Sequence, residues 1–215
     1  MAEIKRIRCG NVNTYLIEER GRAILVDAGR NGSEEKILAQ CRKTKVELIL
    51  LTHGHVDHVQ NAAYLKKALG VPVALHRQDL DLIKNNAAEP LHYRGFLGMV
   101  VAEVSENNYE SDRIPEFYPE IFLKEGDQLK DYGINARVME LPGHTKGSIG
   151  IDLDDKNVIV GDALMNMFYP GLSMVYWDRK EMIKSAEKIS ALGARKVYFG
   201  HGSPVDNRAW NRAGI

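Results

Sequence analysis

Val46-Glu47-Leu48-Ile49-Leu50-Leu51 runs directly into Thr52-His53-Gly54-His55-Val56-Asp57-His58. The first six residues are almost continuously apolar and bounded by polar ones, the pattern of a strand buried on both faces. The next seven place three imidazoles and a carboxylate in the order H-x-H-x-D-H. His53 and His55 are two residues apart. A helix would point them in different directions, whereas an extended segment or tight loop lets them converge. Imidazole nitrogen and carboxylate oxygen suit borderline divalent ions such as Zn²⁺, Fe²⁺ or Mn²⁺. Gly54 keeps the turn free of a side chain. One such histidine alone is more often an ordinary loop or core residue. Four liganding groups at the end of one strand make a candidate metal site.

The flanking sequence supplies the scaffold. Ile4–Arg8, Asn13–Glu18 and Ala23–Asp27 are short β-branched runs, with Glu19-Arg20-Gly21 as a hairpin turn. Ser33 is expected to cap a helix to about Arg42, with Ile37, Leu38 and Cys41 on its inner face. A helix should follow the histidine cluster to Leu69, stopped by Gly70, with a strand at Val71–His76. Arg77–Asn86 can be helical. From there to about Glu125 no period holds, and aromatics alternate with Pro90, Pro115 and Pro119. The 77–125 segment is therefore expected to be an insertion lying over one end of the sheet, with an ordinary connection packed on the core as the equal alternative. Beyond it, Gln128–Asp131 and Asn135–Leu141 are expected strands. Ser148–Asp152 and Asn157–Val160 form a hairpin across Asp154-Asp155-Lys156. Asp178 and Glu181 predict a capping box for a helix to Leu192, ended by Gly193, before a last strand at Lys196–Phe199. Two strand-rich halves, each with helices, predict an α+β sandwich of two sheets with helices outside.

The 215 residues fit a single domain spanning 1–215 with a core of its own. Lys+Arg and Asp+Glu are equal at 29 each, which argues against a whole-surface basic footprint for nucleic acid or anionic membrane. Cys9 and Cys41 give no disulfide framework, so two thiols in a reducing cytoplasm is the simpler expectation. No apolar stretch approaches the roughly 20 residues a membrane helix needs.

Three more candidate ligands lie far along the chain, each at a strand end beside glycine. His144 sits in Pro142-Gly143-His144-Thr145, Asp162 in Gly161-Asp162, and His201 in Gly200-His201-Gly202. With the cluster at 53–58, these motifs resemble the metallo-β-lactamase-fold hydrolases. Asn13-Thr14-Tyr15-Leu16-Ile17 and Leu25-Val26-Asp27-Ala28-Gly29 are similar to that family's opening strands. The resemblance covers residues 12 to 202 apart from 77–125. It implies a four-layer αββα sandwich with two divalent metal ions at one sheet edge, zinc first and iron or manganese next. By the family's pattern His53, His55 and His144 hold the first ion, Asp57, His58 and His201 the second, and Asp162 bridges them. Asp27 would anchor the loop rather than ligate.

The resemblance also implies a mechanism in which hydroxide on the ions attacks an ester-like carbonyl and Asp57 takes its proton. Four positive charges on the ions, set against two carboxylates and one hydroxide, leave the site net positive and suited to an oxyanion. Ser148, near His144, has no base and acid arranged around it and is not expected to be a nucleophile. A bridging Asp at 162 is a feature of the glyoxalase II-like thioesterases, the lactonases and the phosphodiesterase members, and not of the β-lactamase branches. Only fourteen residues follow His201, including Arg208 and Arg212, too few for the helical extension that helps glyoxalase II-like enzymes hold glutathione. Glu103, Glu106, Glu110, Asp112 and Glu116 make the 77–125 segment a poor RNA-binding arm. A flavodoxin domain has no room.

A thioester or lactone carrying an apolar or acyl part is therefore the expected substrate. A phosphodiester is the alternative. An iron-dependent sulfur dioxygenase and a non-catalytic binding module are the readings from other classes. Met165, Phe168, Tyr169 and Tyr176, with Phe96 and Phe117 from the insertion, are the expected pocket wall, and Lys146 is a candidate anion contact, although a solvated lysine in a turn is its commoner use. Packing against the sandwich, or a homodimer contact, is the competing use of the same apolar residues.

Overall fold

The computed structural model describes residues 2–111 and 113–210, and side chains outside 106–111. Of the expected features, Glu106, Glu110, Asp112 and Arg212, and Tyr109 among the aromatics of the 77–125 segment, thus fall outside the described side chains. β1 (Glu3–Cys9) and β2 (Val12–Glu19) form an antiparallel hairpin. The chain enters β3 (Arg22–Val26) through Arg20 and Gly21, whose φ values of 52° and 78° are the paired positive angles of a tight two-residue hairpin. α1 (Glu34–Cys41) then crosses to β4 (Lys45–Leu50), parallel to β3. The expected Ser33 side-chain cap does not form. Ser33 already has α-region backbone angles, whereas a capping side chain projects from extended backbone.

After the histidine cluster the expected single helix is divided into α2 (Val56–Val59) and α3 (Ala62–Leu69). The break has a cause. The Asn61 side chain donates to the Ala28 and Arg30 carbonyls, and the Gln60 side chain accepts from Asn31 N–H, tying the interruption to the loop after β3. Gly70 ends α3 at φ 68° as expected. β5 (Val73–Leu75) joins parallel to β4.

The 77–125 segment does three separate things. α4 (Leu80–Lys84), with the turn at Arg77–Asp79 before it, belongs to the scaffold: Asp79 and Leu82 are buried. β6 (His92–Tyr93) leads into the 17-residue α5 (Gly95–Ser111). β7 (Ile121–Phe122) then returns to the sheet beside β5. α5 was unreadable because its apolar residues do not form one stripe. Phe96, Leu97, Met99, Val100 and Val104 are exposed while Ala102 is buried.

The first sheet has the order β1-β2-β3-β4-β5-β7. The second is built from β8 (Ala136–Glu140), β9 (Ile149–Leu153) and β10 (Asn157–Ile159). β11 (Leu164–Met165) and β12 (Gly171–Leu172) form a small ribbon, and β13 (Val175–Tyr176) pairs with β6. α6 (Arg179–Ser190) starts on Asp178, which accepts from Lys180 N–H and Glu181 N–H. β14 (Lys196–Tyr198) and β15 (Val205–Asp206) complete the order β15-β14-β10-β9-β8. Gln128–Asp131 is not a strand. Gln128 makes one isolated bridge to Arg137, and Lys130–Tyr132 curl into a 3₁₀ turn closed by Gly133 at φ 85°.

Three apolar clusters define four layers. Leu25, Ile49 and Leu51 face Ile37, Leu38 and Leu65 of the first helical layer. Ile24, Val26, Leu48 and Leu50, their neighbours along the same strands, meet Val138, Ile149, Ile151 and Ile159 between the sheets. Met139, Val158 and Val197 face Ala186 and Ile189 of α6. Period-two alternation in the two central strands thus feeds two different interfaces, which is why 46–51 reads as continuously apolar. The fold is an αββα sandwich. No helix among the described residues is long and apolar enough to cross a membrane.

Candidate metal centre

Each candidate ligand sits where a strand has just ended. His53, His55, Asp57 and His58 follow β4, His144 lies between β8 and β9, Asp162 follows β10, and His201 follows β14. The two sheets bring these ends to one edge. Among the described residues, three sets of ligand atoms each lie within 4.8 Å of one another: His53, His55 and His144; Asp57, His58 and His201; and His53, His58 and Asp162. Asp162 thus stands beside one member of each triad.

Hydrogen bonding on the far side of each ring fixes which nitrogen faces inward. The carbonyls of Val175 and Asn11 are 2.9 Å from Nδ1 of His144 and His201. A carbonyl only accepts, so Nδ1 carries a proton and Nε2 is the nitrogen turned inward. His58 Nδ1 lies 2.8 Å from Asp27 Oδ2. Thr52 Oγ1 gives its hydrogen to Asp27, so it accepts from His53 Nδ1, 3.0 Å away. His55 turns the other nitrogen inward: its Nδ1 is 3.0 Å from His144 Nε2. His201 Nε2 lies 3.3 Å from Asp57 Oδ2 and 3.2 Å from Asp162 Oδ2.

Inward-facing donor atoms need a partner. Among the described residues, His53 Nε2, His58 Nε2 and Asp162 Oδ1 are buried and make no hydrogen bond, although His58 Nε2 stands 3.6 Å from Asp162 Oδ1. Buried polar atoms are rarely left so, because each forfeits its hydration without compensation. A divalent ion is the partner that nitrogen and carboxylate donors in this arrangement accept, so the residues fit the two-ion site.

The titration behaviour agrees. Burial, then the neighbouring rings, holds His53 well below the ordinary imidazole range, and burial with His144 lowers His55 to about 3. Burial lowers His144 as well. These three are neutral, as ligands must be. Burial alone would raise Asp57 and Asp162, but the His58 and His201 rings hold both well below the carboxylate range. Burial opposes protonation of His58 and His201, and the carboxylates override it. Asp27, Asp57 and Asp162 raise His58 to about 9, and Asp162 and Asp57 raise His201 well above its usual value. Binding of cations here would release those protons.

Gly200 explains the glycine next to His201. A Cβ there would overlap Asp162 Oδ1 and come within 2.6 Å of His58 Cε1. Gly200→Ala is therefore expected to fold and to lose at least ~10-fold in metal affinity, read by titration of the apoprotein with Zn²⁺. Unchanged affinity would show that Asp162 can move without consequence.

A cavity of about 200 Å³ opens over the site, lined by His55, Asp57, His144, Asp162 and His201 on its floor and by Leu91, Val100, Val101, Val104, Met165, Met167 and Val175 as an apolar wall. Asn11, Arg30 and Ser105 are polar members of the lining. α5 roofs it. Gly98 lies so close to Met174 that an added Cβ would be 2.9 Å from its carbonyl oxygen, and beyond the helix the Arg113 carbonyl accepts from Gln60.

Of the side chains expected to wall the pocket, Met165 lines it. Phe96, Phe168 and Tyr169 point to solvent. Phe117 packs on the first helical layer and lines a separate surface groove with Lys66 and Glu120. Tyr176 donates to the Tyr93 carbonyl. Lys146 pairs with Glu89 and stands over the Trp177 ring. Neighbourhood in sequence to a ligand did not place these residues in the cavity, because all but Tyr176 lie in a helix, turns, bends or irregular chain, where tertiary packing sets the side-chain direction. Ser148 is no nucleophile: its buried hydroxyl contacts Thr145 N–H and Thr145 Oγ1. Asp27 is the loop anchor, accepting from Thr52 N–H, Thr52 Oγ1 and His58. The residues missed are the α5 valines, Arg30 and Asp79. A polar residue in a helix-like run carries no sequence signal of burial.

The sequence profile of the metallo-beta-lactamase superfamily matches residues 7–201. A hydroxyacylglutathione hydrolase of Vibrio vulnificus is 30% identical over 201 residues, covering 90% of this chain, which spans 63% of that protein's length. A second hydroxyacylglutathione hydrolase, from Haemophilus influenzae, is 30% identical over 75% of this chain and 71% of its own. Among solved structures, TTHA1623 in a di-iron-bound form superposes with a TM-score of 0.73 at 27% identity, covering 98% of both chains.

Proposed function

The chain belongs to the metallo-β-lactamase superfamily, and from that premise we propose that it is a dinuclear metal-dependent hydrolase of an ester-like carbonyl, a thioester or lactone. The observation that carries this reading is the pair of triads with buried Asp162 between them, and inward atoms on both sides that make no hydrogen bond. When bound, divalent ions lower the pKa of a coordinated water and polarise the scissile carbonyl. His53, His55 and His144 hold the first, and Asp57, His58 and His201 the second. Asp57, with a quarter of its side chain accessible (24%), is the carboxylate placed to take up and pass on a proton. The apolar wall orients an acyl chain, α5 shields it from water, and Arg30 supplies a cation for an anionic end of the substrate. The free thiols Cys9 and Cys41 support a cytoplasmic location.

The Zn²⁺-loaded protein should cleave p-nitrophenyl esters, thioesters or lactones in preference to bis(p-nitrophenyl) phosphate. Cleavage of the phosphodiester alone would overturn the ester reading. Val104 is more than half exposed and lines the cavity, so Val104→Asp should leave folding and metal content intact. It should raise KM for longer acyl chains by ~10-fold, the scale of a pocket losing one or two apolar contacts. A chain-length profile unchanged by this variant would remove α5 from the substrate site. One observation favours a second reading: the 27% identical relative holds two irons. Oxygen consumption with a persulfide by the iron-loaded protein, without ester cleavage, would establish redox chemistry instead.

A further inference from the structure

Asp79 is fully buried, yet no sequence pattern marks it and the proposed chemistry does not use it. Its Oδ2 accepts from Gly54 N–H at 2.8 Å and from the Thr145 hydroxyl at 2.8 Å, and its Oδ1 accepts from Gly147 N–H at 2.6 Å. Gly54 lies between His53 and His55. Thr145 and Gly147 lie just after His144. The three candidate ligands of the first triad therefore come from two loops, one on each sheet, and one carboxylate is bonded to both loops.

The packing leaves little freedom. A Cβ on Gly54 would meet Leu82 Cβ at 2.8 Å and the Asp79 carbonyl at 3.0 Å, and one on Gly147 would meet the Asp79 carboxylate. The second triad is supported differently. His58 is held by Asp27 and His201 by the Asn11 carbonyl, and Asp79 bonds to neither.

We infer that Asp79 is a positioning residue for the first metal ion: it clasps the His53–His55 loop to the His144 loop and so sets the spacing of that triad alone. The inference rests on the two-ion reading above. A residue that merely filled the core would weaken both sites together or neither. A clasp on one triad separates them. Groups that orient metal ligands typically change affinity 10–100-fold when altered.

The test is titration of the apoprotein with Zn²⁺ and with Co²⁺, whose visible spectrum reports the geometry of each site, in wild type, Asp79→Asn and Thr145→Val. Asp79→Asn keeps the volume but turns an NH₂ toward an N–H donor, so one hydrogen bond is lost. It should bind one equivalent with wild-type affinity and the other at least ~30-fold more weakly. In an Asp57→Ala/His201→Ala background, which removes two of the three donors of the second triad and leaves the first triad whole, Asp79→Asn should weaken the remaining tight equivalent by the same factor. Thr145→Val retains the carboxylate and removes one of its three donors. It should weaken the same equivalent by a smaller factor, ~5-fold, and tests the clasp independently if Asp79→Asn fails to fold. Two equivalents bound as in wild type by both variants would overturn the role of Asp79, as would equal weakening of both. A wild-type protein that takes up neither ion would instead overturn the metal reading itself.

Discussion

A His53→Ala/His55→Ala variant should lose one of two bound ions and at least ~1000-fold in kcat/KM for whichever ester the wild type cleaves, the scale of several kcal/mol of lost transition-state stabilisation. The size follows from the ligand count. Only His144 and the neighbouring Asp162 would remain for the first ion, and two protein donors fall short of the three or four that hold a divalent ion against water. The fold should survive, because the loop is held by atoms the variant keeps: Gly54 N–H on Asp79, Thr52 N–H on Asp27, and Val56 N–H on Asn86. Elemental analysis and steady-state kinetics on the same preparation decide the matter. Metal content and turnover that survive both substitutions would sink the assignment of the site.

The second large effect concerns stability. Gly143 has φ 134°, and a Cβ there would overlap the backbone N and Cα of Met182 in the first turn of α6. Its carbonyl also accepts from Trp177 N–H and Asp178 N–H, so the peptide cannot rotate away without breaking the start of that helix. Gly143→Ala combines an unfavourable backbone angle with a backbone collision. It is expected to cost ~3 kcal/mol or more and to lower Tm by on the order of 10 °C. Thermal unfolding of the metal-free protein isolates this from any loss of bound ion. A Tm within ~2 °C of wild type would show that α6 can shift to make room.

The glycines show how far a sequence can be read. Gly143, Gly161, Gly200 and Gly202 each stand next to a candidate ligand or follow one, and that neighbourhood is visible in the chain. The reason for them is not. Gly200 is small because Asp162 and His58 press on it, Gly143 because α6 does, and Gly202 because the backbone of Asn166 does. The pocket shows the opposite failure. Phe168 and Tyr169 lie close in sequence to Asp162 but point to solvent, while Val100, Val101 and Val104 reach the cavity from a helix that no periodicity announced.

The sequence alone determined the ligand chemistry and the layer order. An apolar run that ends in H-x-H-x-D-H restricts that segment to a buried strand feeding a polar turn, and seven nitrogen and oxygen donors at strand ends restrict the site to a borderline or hard divalent ion. Both are local properties of residue type and spacing, so one chain suffices to read them. Only the tertiary structure decided which side chains face the cavity, which ring nitrogen turns inward, and that Asp79 joins the two halves. Those depend on contacts between residues dozens of positions apart, such as Asp79 with Gly54 and Gly147. The energy of burying a carboxylate is repaid only when donors from several segments converge on it, and that convergence exists in the folded sandwich alone.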